Sequence, residues 1–369
     1  MNAYTNKLND AAFWDALPCA WDSDSQEMLE CCQIRRETHD VSSFVFVAPQ
    51  HRAFTFRPGQ FITLELDIDG STVNRCYTVS SSPARPHSIA ITVKRVPGGP
   101  VSNWLHANLK VGDKVRVLPI AGEFSCVSFP ADRYLFLSAG SGITPLMAMA
   151  RAHYDLSDDR DIVFVHSART PDDIIFEREL GLIAAGQQQF RPYFICESQG
   201  QRRDWPGLTG RLSLPALQLM AADFMQREIF VCGPAPYMQA VRSLLEQAGF
   251  DFRHYHEESF SFETLSAAPT AESALADVGK EAAGFAIHFQ KSQRDIVCTP
   301  QQFVLEAART AGLRLPSSCS QGMCGTCKVK LISGQVDMQH KGGIRQREID
   351  QGMVLLCCSK PLSDLVLEK

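Results

Sequence analysis

The run Pro316-Ser317-Ser318-Cys319-Ser320-Gln321-Gly322-Met323-Cys324-Gly325-Thr326-Cys327 sets three cysteines at C-x4-C-x2-C, and the rest of the chain reads outward from it. With that spacing a tight loop offers three thiolates to a [2Fe-2S] cluster, and a distant segment supplies the fourth. The segment Val354-Leu355-Leu356-Cys357-Cys358 offers two candidates for that ligand, Cys357 and Cys358. Gly322 and Gly325 let the backbone curl around the site, since glycine tolerates positive φ. With thirteen cysteines in 369 residues, roughly 0.016 accidental triplets of this spacing are expected, so chance is a poor explanation. A disulfide framework does not suit a chain whose first residues, Met1-Asn2-Ala3-Tyr4-Thr5, open no apolar signal segment. Structural zinc usually takes C-x2-C pairs. A [2Fe-2S] cluster moves one electron at a time, so the sequence upstream is read as a supply of single electrons.

Length bounds the remainder. At 369 residues two or three domains are expected. A hydrophobic content of 45% and a charged content of 21% describe ordinary globular protein. The net charge of −5 argues against a nucleic-acid partner. No stretch approaches the roughly 18 apolar residues of a membrane span. Cysteines scattered at Cys19, Cys31, Cys32, Cys76, Cys126, Cys196, Cys232 and Cys298 suit a reducing cytoplasm, the expected location. From Gly284 onward there are 11 Lys+Arg and 7 Asp+Glu, a net of +4, which leaves 25 and 34, a net of −9, for the rest. The basic tail suits docking on the acidic body, docking on an acidic partner, or a plain solvated surface.

The hydrophobic rhythm divides the chain. Residues 1–27 are polar with two tryptophans, Trp14 and Trp21, and read as an extension lying on a neighbouring domain. Short strands over 41–47, 60–67, 73–80, 88–96 and 114–118, bounded by Gly, Pro, Asp or Asn, predict an antiparallel barrel over 28–131. One helix, over 101–109, interrupts them. The continuous apolar run Tyr134-Leu135-Phe136-Leu137-Ser138-Ala139 then starts an alternation of strands and helices, predicting a parallel-sheet α/β domain over 132–262. Residues 263–283, rich in Ala, Ser, Pro and Glu, read as a linker. The tail, 284–369, opens with an alternating strand, Phe285-Ala286-Ile287-His288-Phe289. Thr299-Pro300-Gln301-Gln302 predicts a helix start, with Thr299 capping, Pro300 first in the helix and Gln302 completing a capping box.

Three stretches carry chemistry. Arg75-Cys76-Tyr77-Thr78-Val79-Ser80-Ser81-Ser82-Pro83 ends a barrel strand. It can offer a flavin an aromatic neighbour (Tyr77), a donor to the ring edge (Thr78) and a cation for the pyrophosphate (Arg75). Gly140-Ser141-Gly142-Ile143-Thr144-Pro145 follows a strand and opens a helix, where glycines let the backbone approach a dinucleotide pyrophosphate. Cys232-Gly233-Pro234 ends a later strand. Taken alone, the first reads more often as an ordinary strand end, the second is weak evidence, and Cys232 reads as a core residue. His166, His254 and His256 form no metal pattern and are expected to be structural.

Together these stretches resemble the ferredoxin-NADP reductase superfamily carrying a C-terminal plant-type ferredoxin domain. R-x-Y-[ST]-x-x-S is that superfamily's flavin motif, which implies cofactor roles for Arg75, Tyr77, Thr78 and Ser80. Lys94 and Gly99-Pro100-Val101-Ser102 match its second half, where a helix start meets the flavin pyrophosphate and Ser102 is the hydroxyl donor. G-x-G-[IV]-T-P implies nicotinamide-dinucleotide binding by Gly140, Gly142, Thr144 and Pro145. C-G-P implies that Cys232 lines the hydride-transfer site, in contact rather than as a nucleophile, beside Gly233 and Pro234. Glu257-Glu258-Ser259-Phe260 resembles the family's E-x-F, so Glu258 and Phe260 join the site, with Phe260 over the flavin face; the competing reading of Phe260 is a core aromatic. Plant-type ferredoxins carry a V-L-x-C run separated from the third cysteine by 29 residues, which implies Cys357, with Cys319, Cys324 and Cys327, as the ligand set and a β-grasp fold for the tail. The expected fold class is therefore multidomain α+β and α/β.

FAD is expected over FMN, because an FMN-binding class with the same domain order continues its motif as S-L-x-N where this chain has Ser80-Ser81-Ser82-Pro83. NADH is expected over NADPH from the likeness of Arg169-Thr170-Pro171-Asp172-Asp173 to relatives that use NADH, although Arg169 could meet a 2′-phosphate. Among such proteins the chain is most similar to the reductase component of glycine-betaine-type Rieske demethylases. This rests on Val93-Lys94-Arg95-Val96-Pro97-Gly98-Gly99, Val101-Ser102-Asn103-Trp104-Leu105-His106, Tyr255-His256-Glu257-Glu258-Ser259-Phe260 and His340-Lys341-Gly342-Gly343-Ile344. The resemblance implies hydride transfer from NAD(P)H to flavin, single-electron steps to the cluster, and export to a Rieske/non-haem-iron oxygenase that N-demethylates a quaternary ammonium compound. The alternatives are an NADH reductase of a hybrid-cluster protein and, from another class, a redox sensor.

Overall fold

The computed structural model describes residues 20–21, 28–68, 70–260, 284–313, 315, 322, 325–340 and 343–369. The linker over 263–283, the cysteines Cys319 and Cys324, and all of the N-terminal extension but Ala20 and Trp21 lie outside the described residues. Trp21 is buried, its backbone N–H donating to the Ala53 carbonyl at 2.8 Å and its ring 5.3 Å from that of Phe54.

The first layer is a six-stranded antiparallel sheet of β1 (Leu29–Arg36), β2 (Val41–Val47), β3 (Phe61–Ile68), β4 (Ser71–Thr78), β5 (Ile89–Lys94) and β6 (Lys114–Val117), in the order β4-β3-β6-β1-β2-β5. The bridge Val79↔Ile91 joins its two edges into a barrel. Strand β1 is the one strand the turn pattern missed. Its alternation is broken by Cys31-Cys32, where the register against β2 shifts. Ile62, Leu64, Leu66 and Val79 point into the barrel core, with Val73 and Tyr77 packed against them. Asn74, Cys76 and Thr78 therefore lie on the opposite, outer face of β4. The helix Pro100–Asn108 follows β5 directly.

The second layer is a parallel sheet of β7 (Arg133–Ala139), β8 (Asp161–Ala168), β9 (Phe190–Cys196), β10 (Leu208–Thr209), β11 (Glu228–Gly233) and β12 (Tyr255–Ser259), ordered β10-β9-β8-β7-β11-β12. Both faces are covered, as the continuous apolar runs require. Tyr134 and Phe136 meet one cluster, Leu135 and Leu137 the other. The strand order reverses at β7/β11, the topological switch point where such sheets bind ligands.

The tail is a five-stranded mixed sheet of β13 (Phe285–Phe289), β14 (Arg294–Cys298), β15 (Lys328–Ser333), β17 (Met353–Leu355) and β19 (Leu365–Leu367), with β16 (Val336–Met338) and β18 (Ser359–Pro361) paired beside it. The helix Val304–Thr310 packs across it, which is the β-grasp arrangement. That helix begins later than the capping pattern predicts. Thr299 to Gln302 form a turn, with Gln302 N–H donating to the Thr299 carbonyl at 3.1 Å, and Phe303 takes the N-cap position. Phe303 accepts from both Glu306 and Ala307, so the first helical hydrogen bonds need no side-chain cap.

Candidate functional site

The two turns singled out in the sequence meet at the switch point. Gly140 to Gly142 form a tight turn at the end of β7, and the helix Ile143–Asp155 follows. A Cβ on Gly142 would collide with the Cys232 carbonyl and the Gly233 nitrogen, so only glycine lets these turns pass one another. Gly140 has φ +53 and faces open space, the cradle a pyrophosphate needs. Thr144 closes the turn, its hydroxyl donating to the Ser141 carbonyl at 3.1 Å. Thr144 and Pro145 are both buried.

Register aligns Phe194, His166, Ser138, Cys232 and Glu258 in one row across the carboxyl end of the sheet. Ser138 and His166 Nδ1 share a hydrogen bond of 2.8 Å, while His166 Nε2 is buried without a partner. Burial, with Lys94 nearby, pushes His166 down to about 3. Burial raises the Cys232 thiol well above its ordinary range, with Glu258 adding to the effect. Burial pushes the Glu258 carboxyl up to about 8, and its Oε2 has no hydrogen-bond partner. At neutral pH the row is therefore uncharged: imidazole, thiol and carboxylic acid. Cys232 stays a thiol, in keeping with a contact role. Sequence reasoning missed Ser138 and took His166 as fully satisfied. The available signal was a lone serine ending the otherwise apolar strand β7.

On the barrel, Thr78 is buried and its hydroxyl has no partner. Burial raises the Tyr77 phenol. The Arg75 side chain has no hydrogen-bond or ion-pair partner among the described residues, which leaves it open to a phosphate, while its backbone lies in the β3/β4 ladder. Other expected contacts are turned inward. The Ser80 hydroxyl bonds Ala90 and Thr92 within the barrel. The Ser102 hydroxyl accepts from Val96 N–H at 3.1 Å and donates to the Gly99 carbonyl at 3.3 Å, tightening the loop before the helix Pro100–Asn108. That leaves the backbone N–H groups of Val101 and Ser102 at the helix start. Lys94 pairs with Asp40 at 3.3 Å. Arg169 is exposed beyond β8 with no side-chain partner among the described residues. Pro234 precedes the helix Ala235–Gln247, and Phe260 is half-buried against the cluster that joins sheet and barrel.

The unsatisfied Thr78 hydroxyl and Glu258 carboxyl fit a polar heterocycle seated between the layers, since buried polar groups otherwise find partners. Near the cluster loop, Cys327 and Cys357 are brought together. Gly322 N–H points at Cys357 Sγ at 3.2 Å, and Cys357 N–H points at Cys327 Sγ at 3.5 Å. Amides aimed at two sulfurs favour thiolates, which fits an iron–sulfur ligand pair. Cys358 Sγ instead donates to the Leu355 carbonyl at 3.6 Å.

Family models match the three layers in turn. They are an oxidoreductase FAD-binding domain over residues 29–125, an oxidoreductase NAD-binding domain over 136–243 and a 2Fe-2S iron-sulfur cluster binding domain over 287–362. The glycine betaine monooxygenase reductase subunit of Pseudomonas aeruginosa is 46% identical over 94% of this chain and 96% of its own. The chain belongs to the family of monooxygenase reductase components. A second relative, the stachydrine N-demethylase reductase subunit of Rhizobium meliloti, is 42% identical over 93% of this chain and 96% of its own. The crystal structure of phthalate dioxygenase reductase shares the fold, with a TM-score of 0.54 and 23% identity over 93% of this chain and 97% of that one. As a reductase component the chain is an oxidoreductase whose domains take FAD, NADH and [2Fe-2S]. Among the described residues no helix is long and apolar enough to cross a membrane.

Proposed function

We propose that this reductase component, organised as modules 28–131, 132–262 and 284–369, supplies electrons from NADH to a cytoplasmic Rieske-type oxygenase that N-demethylates a small quaternary ammonium compound such as glycine betaine. The observation that carries this is 46% identity, sustained over 94% of the chain, to a glycine betaine monooxygenase reductase subunit. When bound, the flavin takes two electrons as a hydride and releases them singly, the unit a [2Fe-2S] cluster carries.

The chain's own residues position these groups. Tyr77 and Thr78 would hold the flavin ring from β4, with Arg75 and the N–H groups of Val101 and Ser102 on its pyrophosphate. The Gly140–Gly142 turn and the N-terminus of the helix Ile143–Asp155 would hold the dinucleotide. Cys232 and Glu258 bring uncharged groups to the place where nicotinamide and flavin meet, and Glu258 keeps a proton at its carboxyl at neutral pH. Phe260 closes the cleft until nicotinamide displaces it. Cys319, Cys324, Cys327 and Cys357 would hold the cluster.

The test is anaerobic reduction of the purified holoprotein with NADH and, separately, NADPH, followed at flavin and cluster absorbance. Flavin bleaching and then loss of the cluster bands, faster with NADH, is expected. No response to either nucleotide overturns the reading and favours a sensor. Reconstitution with a Rieske oxygenase and glycine betaine then tests the partner through formaldehyde release.

A further inference from the structure

At Gly325 and Arg345 the ferredoxin-type module touches the barrel. Arg345 is 4% exposed, yet its Nη2 donates at 2.6 Å to the carbonyl of Val117, at the end of β6 in the barrel. The nearby carboxylate is already engaged: Glu348 accepts from Arg345 N–H at 2.9 Å and pairs with Lys328 at 2.5 Å. The guanidinium is thereby left to reach across. Asn74 donates its side-chain amide to the Gly325 carbonyl at 3.4 Å. A Cβ on Gly325 would stand 2.7 Å from Leu118 Cδ1, so the loop lies directly on the barrel wall.

Gly325 falls between Cys324 and Cys327. Asn74 shares the outer face of β4 with Thr78, whose buried hydroxyl lacks a partner. Two alternate positions along a strand span about 13 Å. One strand therefore carries the flavin-edge residue at its end and the support of the cluster loop at its middle.

We propose that Asn74 and Arg345 are positioning residues for electron transfer from flavin to cluster, seating the cluster loop at a fixed place on β4. The proposal rests on the circuit described above. Electron transfer between separated centres slows steeply with distance, so loosening this seat acts on that step and not on hydride transfer, which takes place at the Thr78 end of β4 against the nucleotide sheet.

The experiment compares holoprotein variants Asn74→Ala and Arg345→Met, with Arg345→Lys as the conservative partner, by anaerobic stopped flow with NADH. Flavin bleaching is expected to keep its rate. The following cluster reduction is expected to slow about tenfold in Arg345→Met, less in Asn74→Ala, with partial recovery in Arg345→Lys. The electron paramagnetic resonance signal of the dithionite-reduced cluster is expected to be unchanged, and hydrogen exchange is expected to rise at 114–118 and 325–330 but not at 228–233. Equal slowing of both steps overturns the proposal, as does an unchanged cluster step in a variant whose seam exchange has risen. If Arg345→Met does not fold, Asn74→Ala decides alone by the same criteria. Failure of the wild-type flavin to bleach would instead defeat the underlying circuit.

Discussion

Two buried arginines tie the barrel to its neighbours, and they do so differently. Arg151, on the helix Ile143–Asp155, reaches the carbonyl of Ser80 in the flavin motif. It is held by two hydrogen bonds of 2.7 Å to Glu179 and lies 4.5 Å over the Phe176 ring. Arg345 reaches Val117 with no carboxylate bonded to its guanidinium among the described residues, and its Nε is unsatisfied. Burial accordingly pushes its pKa down, despite Glu348 nearby. The seam between nucleotide and flavin is locked by a neutralised, stacked cation, whereas the polar contacts described between flavin and cluster modules go to backbone carbonyls, beside the packing of Gly325 on Leu118. Hydride transfer needs two rings in fixed contact. A single-electron step needs a set distance and no ring-to-ring contact, which a lighter seat supplies.

The sharpest break in this comparison is at the cluster. Cys357→Ser is expected to abolish the [2Fe-2S] absorbance and paramagnetic signal while NADH still bleaches the flavin, and Cys358→Ser is expected to retain both signals. Next comes the locked seam. Gly142→Ala forces a methyl group into the Cys232–Gly233 backbone and is expected to cost over about 3 kcal/mol of stability, against about 1 kcal/mol for Gly140→Ala, which meets open space. Urea midpoints of the two variants check this.

A smaller contrast separates the arginines. Arg151→Met leaves Glu179 and the Ser80 carbonyl without their partner and is expected to cost about 1–3 kcal/mol, discounted because Glu179 is 41% exposed. Arg345→Met loses one carbonyl bond and is expected to cost about 1 kcal/mol or less. Thermal unfolding that gave equal losses would remove the distinction between the seams.

A further contrast concerns pH. Glu258 is held up at about 8 from an ordinary 4.5, so the unfolded chain ionises it first. Its contribution to stability falls as pH rises through that window. His166, pushed from 6.5 to about 3, behaves oppositely, its contribution being lost as pH falls below 6.5. Glu258→Gln is expected to flatten the fall in urea midpoint between about pH 4.5 and 8 and to leave the His166-dependent loss toward pH 3 unchanged.

The β7 run, the glycine turn and the cysteine spacing were legible because each depends on residues adjacent in sequence. The capping pattern at Thr299 misled for the complementary reason: its local hydrogen bonds were available, and the chain closed a turn with them before the helix began. Arg151 left a faint trace, a charge set in the buried apolar run Ile143 to Ala152 of its helix. Arg345 left none, since its partner is a backbone carbonyl, which every sequence offers everywhere.

Sequence by itself determined the order of the domains, the cofactor motifs and the family resemblance, because strand period, glycine turns and ligand spacing act over a few residues. Tertiary structure alone decided which polar groups stand unsatisfied in one cleft, that Ser138, His166, Cys232 and Glu258 form an uncharged row, and that Asn74 and Arg345 meet the cluster loop. Those facts depend on strand register and on burial between layers, and burial sets both the charge of a group and the need for a partner.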